Sequence, residues 1–150
     1  MSIKIPRRLL AELITHALTD DPNECCGLIL GNGAGADEIR PMSNVNRKPI
    51  SRYTMDPGEL VEAQEYAKRT NREFVAIYHS HTFTQGYPSK TDIANALKVG
   101  AISIRHVIVS LVEKTRPIVR AFEITAGEDR ESSVVELVIE TDGEPYCSSD

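Results

Sequence analysis

Positive charge is scarce in this chain: 17 lysines and arginines stand against 22 aspartates and glutamates, for a net charge of −5. That balance argues against a nucleic-acid partner, which requires a basic face. Long apolar runs are missing as well, so no segment reaches the length of a membrane span. The N-terminal Met1-Ser-Ile-Lys-Ile-Pro-Arg-Arg8 carries basic residues without the apolar stretch of a secretion signal, because Glu12 and His16 interrupt the apolar residues beyond it. A cytoplasmic location is the resulting expectation. Cysteine is limited to three residues, an odd number with Cys25 and Cys26 adjacent, which argues against a disulfide framework. Cys25, Cys26 and Cys147 read as reduced thiols. Neighbours on a strand face opposite ways and no second cysteine pair completes a metal site, so Cys25 and Cys26 read as small buried hydrophobes. Internal repeats and low-complexity segments are absent too.

What is present fits one domain. A chain of 150 residues buries about two-thirds of its unfolded surface around a single core. With 41% hydrophobic and 26% charged residues, its composition is that of a globular protein. Residues 1–140 are expected to form the domain, and the polar residues 141–150, with Gly143 and Pro145, a flexible tail.

The chain alternates strand and helix signals. Ser2 to Ile5 reads as a short strand, and Pro6 opens a helix where its missing N–H costs nothing. Leu9, Leu10, Leu13, Ile14, Ala17 and Leu18 recur at helical spacing along it, and His16 lies off that stripe as a solvated residue. Asp20 to Asn23 break the helix ahead of a strand that begins at Glu24 and contains Gly27, a close-approach point for another backbone or a plain bulge. Gly31 to Gly35 reads as a hairpin turn, followed by a strand from Glu38 to Val45. Asn46 to Arg52 is an irregular basic loop, and Tyr53 to Met55 reads as another short strand. Asp56-Pro-Gly-Glu59 resembles a capping box that starts a helix running to Thr70, with Leu60, Ala63, Tyr66 and Ala67 facing inward. Arg105 to Val112 is a β-branched run typical of a strand buried on both faces, opened by His106 as a core residue or a partner to some other site. Pro117 to Thr125 reads as a strand, and Val134 to Ile139 as a strand or a short helix. The order predicts a mixed α/β domain, a sheet with helices on its faces.

The rest of the chain is organised around Ile77 to Asp92. Phe74, Val75, Ile77 and Tyr78 lead in as a strand, on which His79 and His81 point to one face and Ser80 to the other. A loop containing Gly86 and Pro88 then brings Asp92, eleven positions beyond His81, to the start of a helix. Two imidazoles and a carboxylate make a three-ligand site for a borderline cation such as zinc, with a fourth position free. Ser89-Lys-Thr-Asp92 also fits a helix-start signature, in which Ser89 caps and the acid favours the positive end of the dipole. The two readings are compatible.

His79-x-His81, followed by Ser89-x-x-Asp92 and preceded by Glu24-Cys-Cys-Gly27, resembles the JAMM (MPN+) metallopeptidase signature. The resemblance spans roughly residues 3 to 125. It implies a cytidine-deaminase-like mixed sheet, one zinc ion held by His79, His81 and Asp92, a catalytic Glu24 and an oxyanion-stabilising Ser89. Many members carry proline directly after the second histidine, where this chain has Thr82. Together with Tyr-Pro-Ser-x-Thr-Asp, that departure is similar to the bacterial Mec-type branch. The implied substrate is a ubiquitin-like, β-grasp sulfur carrier protein whose C-terminal cysteine or short extension is removed. Residues Thr82 to Tyr87 would then wall the path of the carrier's tail, and Arg47, Lys48 and Arg52 form the nearest basic cluster for a released carboxylate. The alternatives are an isopeptidase that removes such modifiers from lysines and a non-catalytic MPN scaffold. The sequence does not specify the oligomeric state.

Overall fold

Strand β1 (Ser2–Lys4) leads into helix α1 (Arg7–Asp20), followed by β2 (Cys26–Asn32), β3 (Gly35–Met42), α2 (Pro57–Arg69), β4 (Glu73–His81), α3 (Lys90–Lys98), β5 (Ser103–Ser110), β6 (Ile118–Ala126) and β7 (Ser132–Glu140). The computed structural model describes residues 1–33, 35–98, 103–126 and 132–142. The expected tail with Cys147 therefore lies outside the described residues, apart from Thr141 and Asp142. Asp142 Oδ1 accepts a hydrogen bond from the Arg7 backbone N–H at 2.7 Å. It satisfies a free donor at the start of α1 that Pro6, with no side-chain cap of its own, leaves open.

The strands form a seven-stranded mixed sheet in the order β1-β7-β6-β5-β4-β2-β3. β4 and β5 run parallel, as do β1 and β7, and the remaining neighbours are antiparallel. α3 makes the crossover that two parallel neighbours require. The sheet curls, and its edge strands approach where Gly35, at φ +134°, lies against Lys4. Among the described residues no helix is long and apolar enough to cross a membrane.

Side-chain parity divides the core. Leu9, Leu13 and Ala17 of α1 pack with Ile29, Tyr78, Val107 and Val109 on one face of the sheet. On the other, Ala63 and Ala67 of α2 pack with Cys26, Leu28, Leu30 and Met42. Cys25 and Cys26 are buried free thiols on opposite faces, as their adjacency requires. Leu18, expected in the stripe of α1, is 45% exposed, the buried stripe being Leu9, Leu13 and Ala17. Asp56 caps α2 by accepting from Glu59 N at 3.1 Å. The Glu59 carboxylate does not return the bond to the cap but takes the N–H and hydroxyl of Ser43 at 2.8 and 2.9 Å, tying β3 to the helix. Tyr53 to Met55 contribute one isolated bridge, Asn44 to Met55, in place of a strand. Val134 to Ile139 lie within β7, which settles the strand-or-helix alternative.

Two expectations fail around Tyr78. Gly27 makes room for the Tyr78 ring and not for a backbone, since a Cβ there would stand 2.5 Å from the ring and its hydroxyl. His16 is only 15% exposed at its side chain and is not solvated: its Nδ1 lies 2.7 Å from the Tyr78 hydroxyl and its Nε2 3.2 Å from Asp20 Oδ2. Burial raises the Tyr78 pKa far above the ordinary tyrosine value, so the hydroxyl keeps its proton; with the Nε2 hydrogen of His16 turned to Asp20, Nδ1 is left to accept from that hydroxyl. Gly27→Ala is therefore expected to lower stability by about 1–3 kcal/mol through overpacking. A denaturant midpoint unchanged from that of the parent protein would contradict this.

Candidate metal centre

The site lies where β4 ends and α3 begins, at the carboxyl end of a strand with a parallel neighbour, the usual position for ligands in such sheets. β-strand alternation puts His79 and His81 on the α2 and α3 face and turns Ser80 to the opposite one, where its Oγ accepts from Cys25 N at 2.8 Å. The backbone returns the contact, with Ser80 N donating to Cys25 O at 3.1 Å. The Ser89 side chain caps α3, accepting from Asp92 N at 3.0 Å, and Asp92 Oδ2 accepts from Ser89 N at 2.9 Å. The same Oδ2 lies 3.2 Å from His79 Nε2 and 3.1 Å from His81 Nε2, and the two Nε2 atoms are 3.1 Å apart. The helix-start and ligand readings of Ser89-x-x-Asp92 thus hold at once.

The triangle suits a cation. A tetrahedral site with bonds of about 2.0 Å has its ligand atoms about 3.3 Å apart, close to the spacings found. The tautomer suits it too. His81 Nδ1 donates to the Gln85 carbonyl at 2.8 Å, which leaves the Nε2 lone pair aimed at the common point. All three side chains are buried, as a group able to hold a metal ion. Burial lowers the His79 pKa and so favours the neutral ligand form, with Asp92 opposing. For Asp92 burial acts upward, but the bonds from His79 and His81 win and hold its carboxyl well below the usual range. His81 is also pushed down by burial, and its bonds to Asp92 and Gln85 reverse this to a net rise. Nitrogen and oxygen donors in this combination fit zinc.

Glu24 sits two residues before β2 rather than at its first position. Continuing the register in which Cys26 pairs with His79 places it opposite His81, on the same face. Its backbone is fixed on both sides, with N donating to Pro49 O at 2.7 Å and O accepting from Asn44 Nδ2 at 2.9 Å. The side chain is 6% exposed, against the reading of a solvated strand end. Burial pushes its pKa up to about 7, His81 acting downward and Asp92 upward. A carboxyl with that value exchanges protons in both directions near neutral pH, as a general base and acid must.

Several neighbours make contacts that the linear reading did not give. Tyr53 stacks on the His79 ring at 4.5 Å and 25°, and nothing in the expected short strand Tyr53 to Met55 marks it for that position. His106 meets His79 edge-on at 6.3 Å, yet neither of its ring nitrogens has a hydrogen-bond partner among the described residues, so it is not a satisfied core histidine. Burial, with a contribution from His79, brings its pKa down to about 4 and keeps it neutral. Thr82, in the position often held by proline, is buried and donates to Ile50 O at 3.3 Å, joining the loop after β4 to the basic loop. Phe83, Tyr87 and Ile50 stay exposed beside it. A cleft of about 440 Å³ opens between the basic loop and the start of α3, lined by Arg52, Tyr53 and Thr54 on one side and Ser89, Asp92 and Asn95 on the other.

Residues 6–125 match the family model described as prokaryotic homologs of the JAB domain. The chain is 34% identical over 128 residues to a protein of Mycobacterium tuberculosis named CysO-cysteine peptidase, covering 84% of this chain and 85% of that one. It is 36% identical over 92 residues to a Thermus thermophilus protein named probable TtuB-protein conjugate cleaving protease, covering 61% and 62%. The solution structure of a Desulfitobacterium hafniense protein superposes with a TM-score of 0.79 at 27% identity, covering 95% of this chain and 94% of that one.

Proposed function

The chain belongs to the prokaryotic JAB-domain family, of the JAMM/MPN class, and from that membership we propose a zinc peptidase that hydrolyses the C-terminal amide bond of a ubiquitin-like, β-grasp sulfur carrier protein, releasing cysteine or a short extension. The observation that carries this reading is the convergence of His79 Nε2, His81 Nε2 and Asp92 Oδ2 on one point beside the buried carboxyl of Glu24. His79, His81 and Asp92 would hold the ion. When bound there, zinc lowers the pKa of a coordinated water to about 7 and polarises a carbonyl oxygen.

The remaining work falls to the chain's own groups. Glu24 accepts the proton of the attacking water and passes it to the departing amine, from its buried position opposite His81. The Ser89 hydroxyl accepts from Asp92 N and keeps its own O–H free to donate to the carbonyl oxygen as charge develops. Exposed Phe83 and Tyr87 flank the approach, in the segment expected to wall the carrier's tail. Ser89→Ala is expected to lower kcat by about 10²-fold and, by removing the cap, stability by about 1 kcal/mol. Unchanged single-turnover rates would remove Ser89 from the chemistry.

Incubating the zinc-loaded protein with a β-grasp carrier ending in Gly-Gly-Cys, followed by intact mass, tests the proposal. Loss of one cysteine residue is expected, and a carrier left whole would overturn it. The name of the Thermus relative favours a second reading, cleavage of carrier–protein conjugates at lysine. A carrier joined to a lysine side chain, offered in the same assay, separates the two.

A further inference from the structure

The relatives' names divide between a CysO-cysteine peptidase and a probable TtuB-protein conjugate cleaving protease; a single C-terminal cysteine would depart with a free α-carboxylate, whereas a conjugated lysine would depart through its side-chain amine. The cleft beside the metal centre bears on that division. Among the described residues Arg52 is the one basic residue in its lining, across from Ser89 and Asp92. Arg72, Arg105 and Arg120 are paired with acids, whereas Arg52 makes no ion pair among the described residues, in a chain with an excess of acids. Arg47 and Lys48 belong to the same loop but do not line the cleft.

The Arg52 backbone is held in place. Its N–H donates to Lys48 O at 2.9 Å, and its carbonyl accepts from Asn44 Nδ2 at 2.9 Å. The Asn44 side-chain oxygen in turn accepts from the N–H groups of Asn46 and Thr54, each at 3.1 Å. With the backbone fixed before a ligand arrives, only the Arg52 side chain remains to be ordered on binding. In the departing residue of a C-terminal peptide, the α-carboxylate lies two bonds from the nitrogen released, within about 4 Å of it. An internal peptide presents a neutral amide at that point, and a departing lysine side chain presents methylene groups.

We infer that Arg52 receives the α-carboxylate of the departing amino acid in this cleft, which makes the enzyme selective for a single C-terminal residue over lysine conjugates. The inference rests on the hydrolase reading above. A planar guanidinium matches a carboxylate in two parallel hydrogen bonds, and in the cleft it offsets the negative charge of Asp92.

The test compares a β-grasp carrier ending in Gly-Gly-Cys with the same carrier ending in cysteinamide. Both are offered to the parent enzyme and to Arg52→Gln, with Arg47→Ala and Lys48→Ala as controls. The parent is expected to favour the free acid by about 10- to 100-fold in kcat/KM, the range of one charged hydrogen-bonded contact. Arg52→Gln collapses that ratio towards one, and the two controls keep it. Affinity gives a readout without turnover: in a Glu24→Gln background the free acid binds more tightly than the amide, and adding Arg52→Gln removes the difference. Equal use of both carriers by the parent, or a preference that survives Arg52→Gln, overturns the role of Arg52 and leaves the peptidase reading standing. Failure of the parent to cleave either carrier overturns the peptidase reading itself.

Discussion

Glu24→Gln is expected to reduce hydrolysis by about 10⁴-fold, the upper range for a single proton-transfer group, while zinc stays bound. The same substitution is expected to make the metal-free protein more stable. Burial pushes the Glu24 carboxyl up to about 7 from an ordinary 4.5, so the folded chain holds this proton more tightly than the unfolded chain does. The stability so gained is complete below pH 4.5 and is lost as pH rises through about 7. Above that, the native state carries a buried carboxylate, and replacing it with a neutral amide should recover about 1–3 kcal/mol, allowing for residual solvent screening. The gain should narrow in the loaded enzyme, because a nearby cation favours the carboxylate. Thermal denaturation of both proteins at pH 5 and pH 8, each treated with chelator, measures it. Full activity in Glu24→Gln would show that Glu24 is not the proton carrier, and equal stability at pH 8 that it is not a buried acid with a raised pKa.

The second large effect concerns the ion. At a free zinc concentration about 1,000 times its dissociation constant, the native state should gain about 4 kcal/mol, a rise in Tm on the order of 10 °C. A chelator should reverse the shift and stop turnover together. Asp92→Ala should abolish both responses, since it takes away one corner of the triangle and the acceptor for Ser89 N. An equal thermal shift in Asp92→Ala would mean that zinc binds elsewhere. This measurement needs no substrate, so it separates failure of the centre from failure of the proposed carrier.

The centre was legible in the sequence because its parts obey short-range rules. Strand alternation alone puts His79 and His81 side by side, and a helix start needs a cap at Ser89 and tolerates an acid at Asp92. Glu24 came from the family resemblance; its position opposite His81 depends on strand pairing, which pattern alone does not give. Gly27, His16 and Tyr53 were misread or missed for one reason. Each answers to a ring brought from a distant segment, Tyr78 in two cases and His79 in the third, and no spacing along the chain encodes that encounter. The singling out of Arg52 from the basic loop required the fold, since Arg47 and Lys48 carry the same charge in the same stretch. Leu18 shows the converse error, a periodic apolar residue with no surface left to cover.

Ser80, the middle residue of the histidine pair, has a wider consequence. By gripping Cys25 through both its hydroxyl and its amide, it sets how far along its own segment the acid-bearing stretch can slide. Transplanting the proposed chemistry onto a different scaffold would therefore demand more than copying His79, His81 and Asp92. A recipient lacking that reverse-side hydroxyl would keep the His79, His81 and Asp92 triangle and leave Glu24 out of step with it.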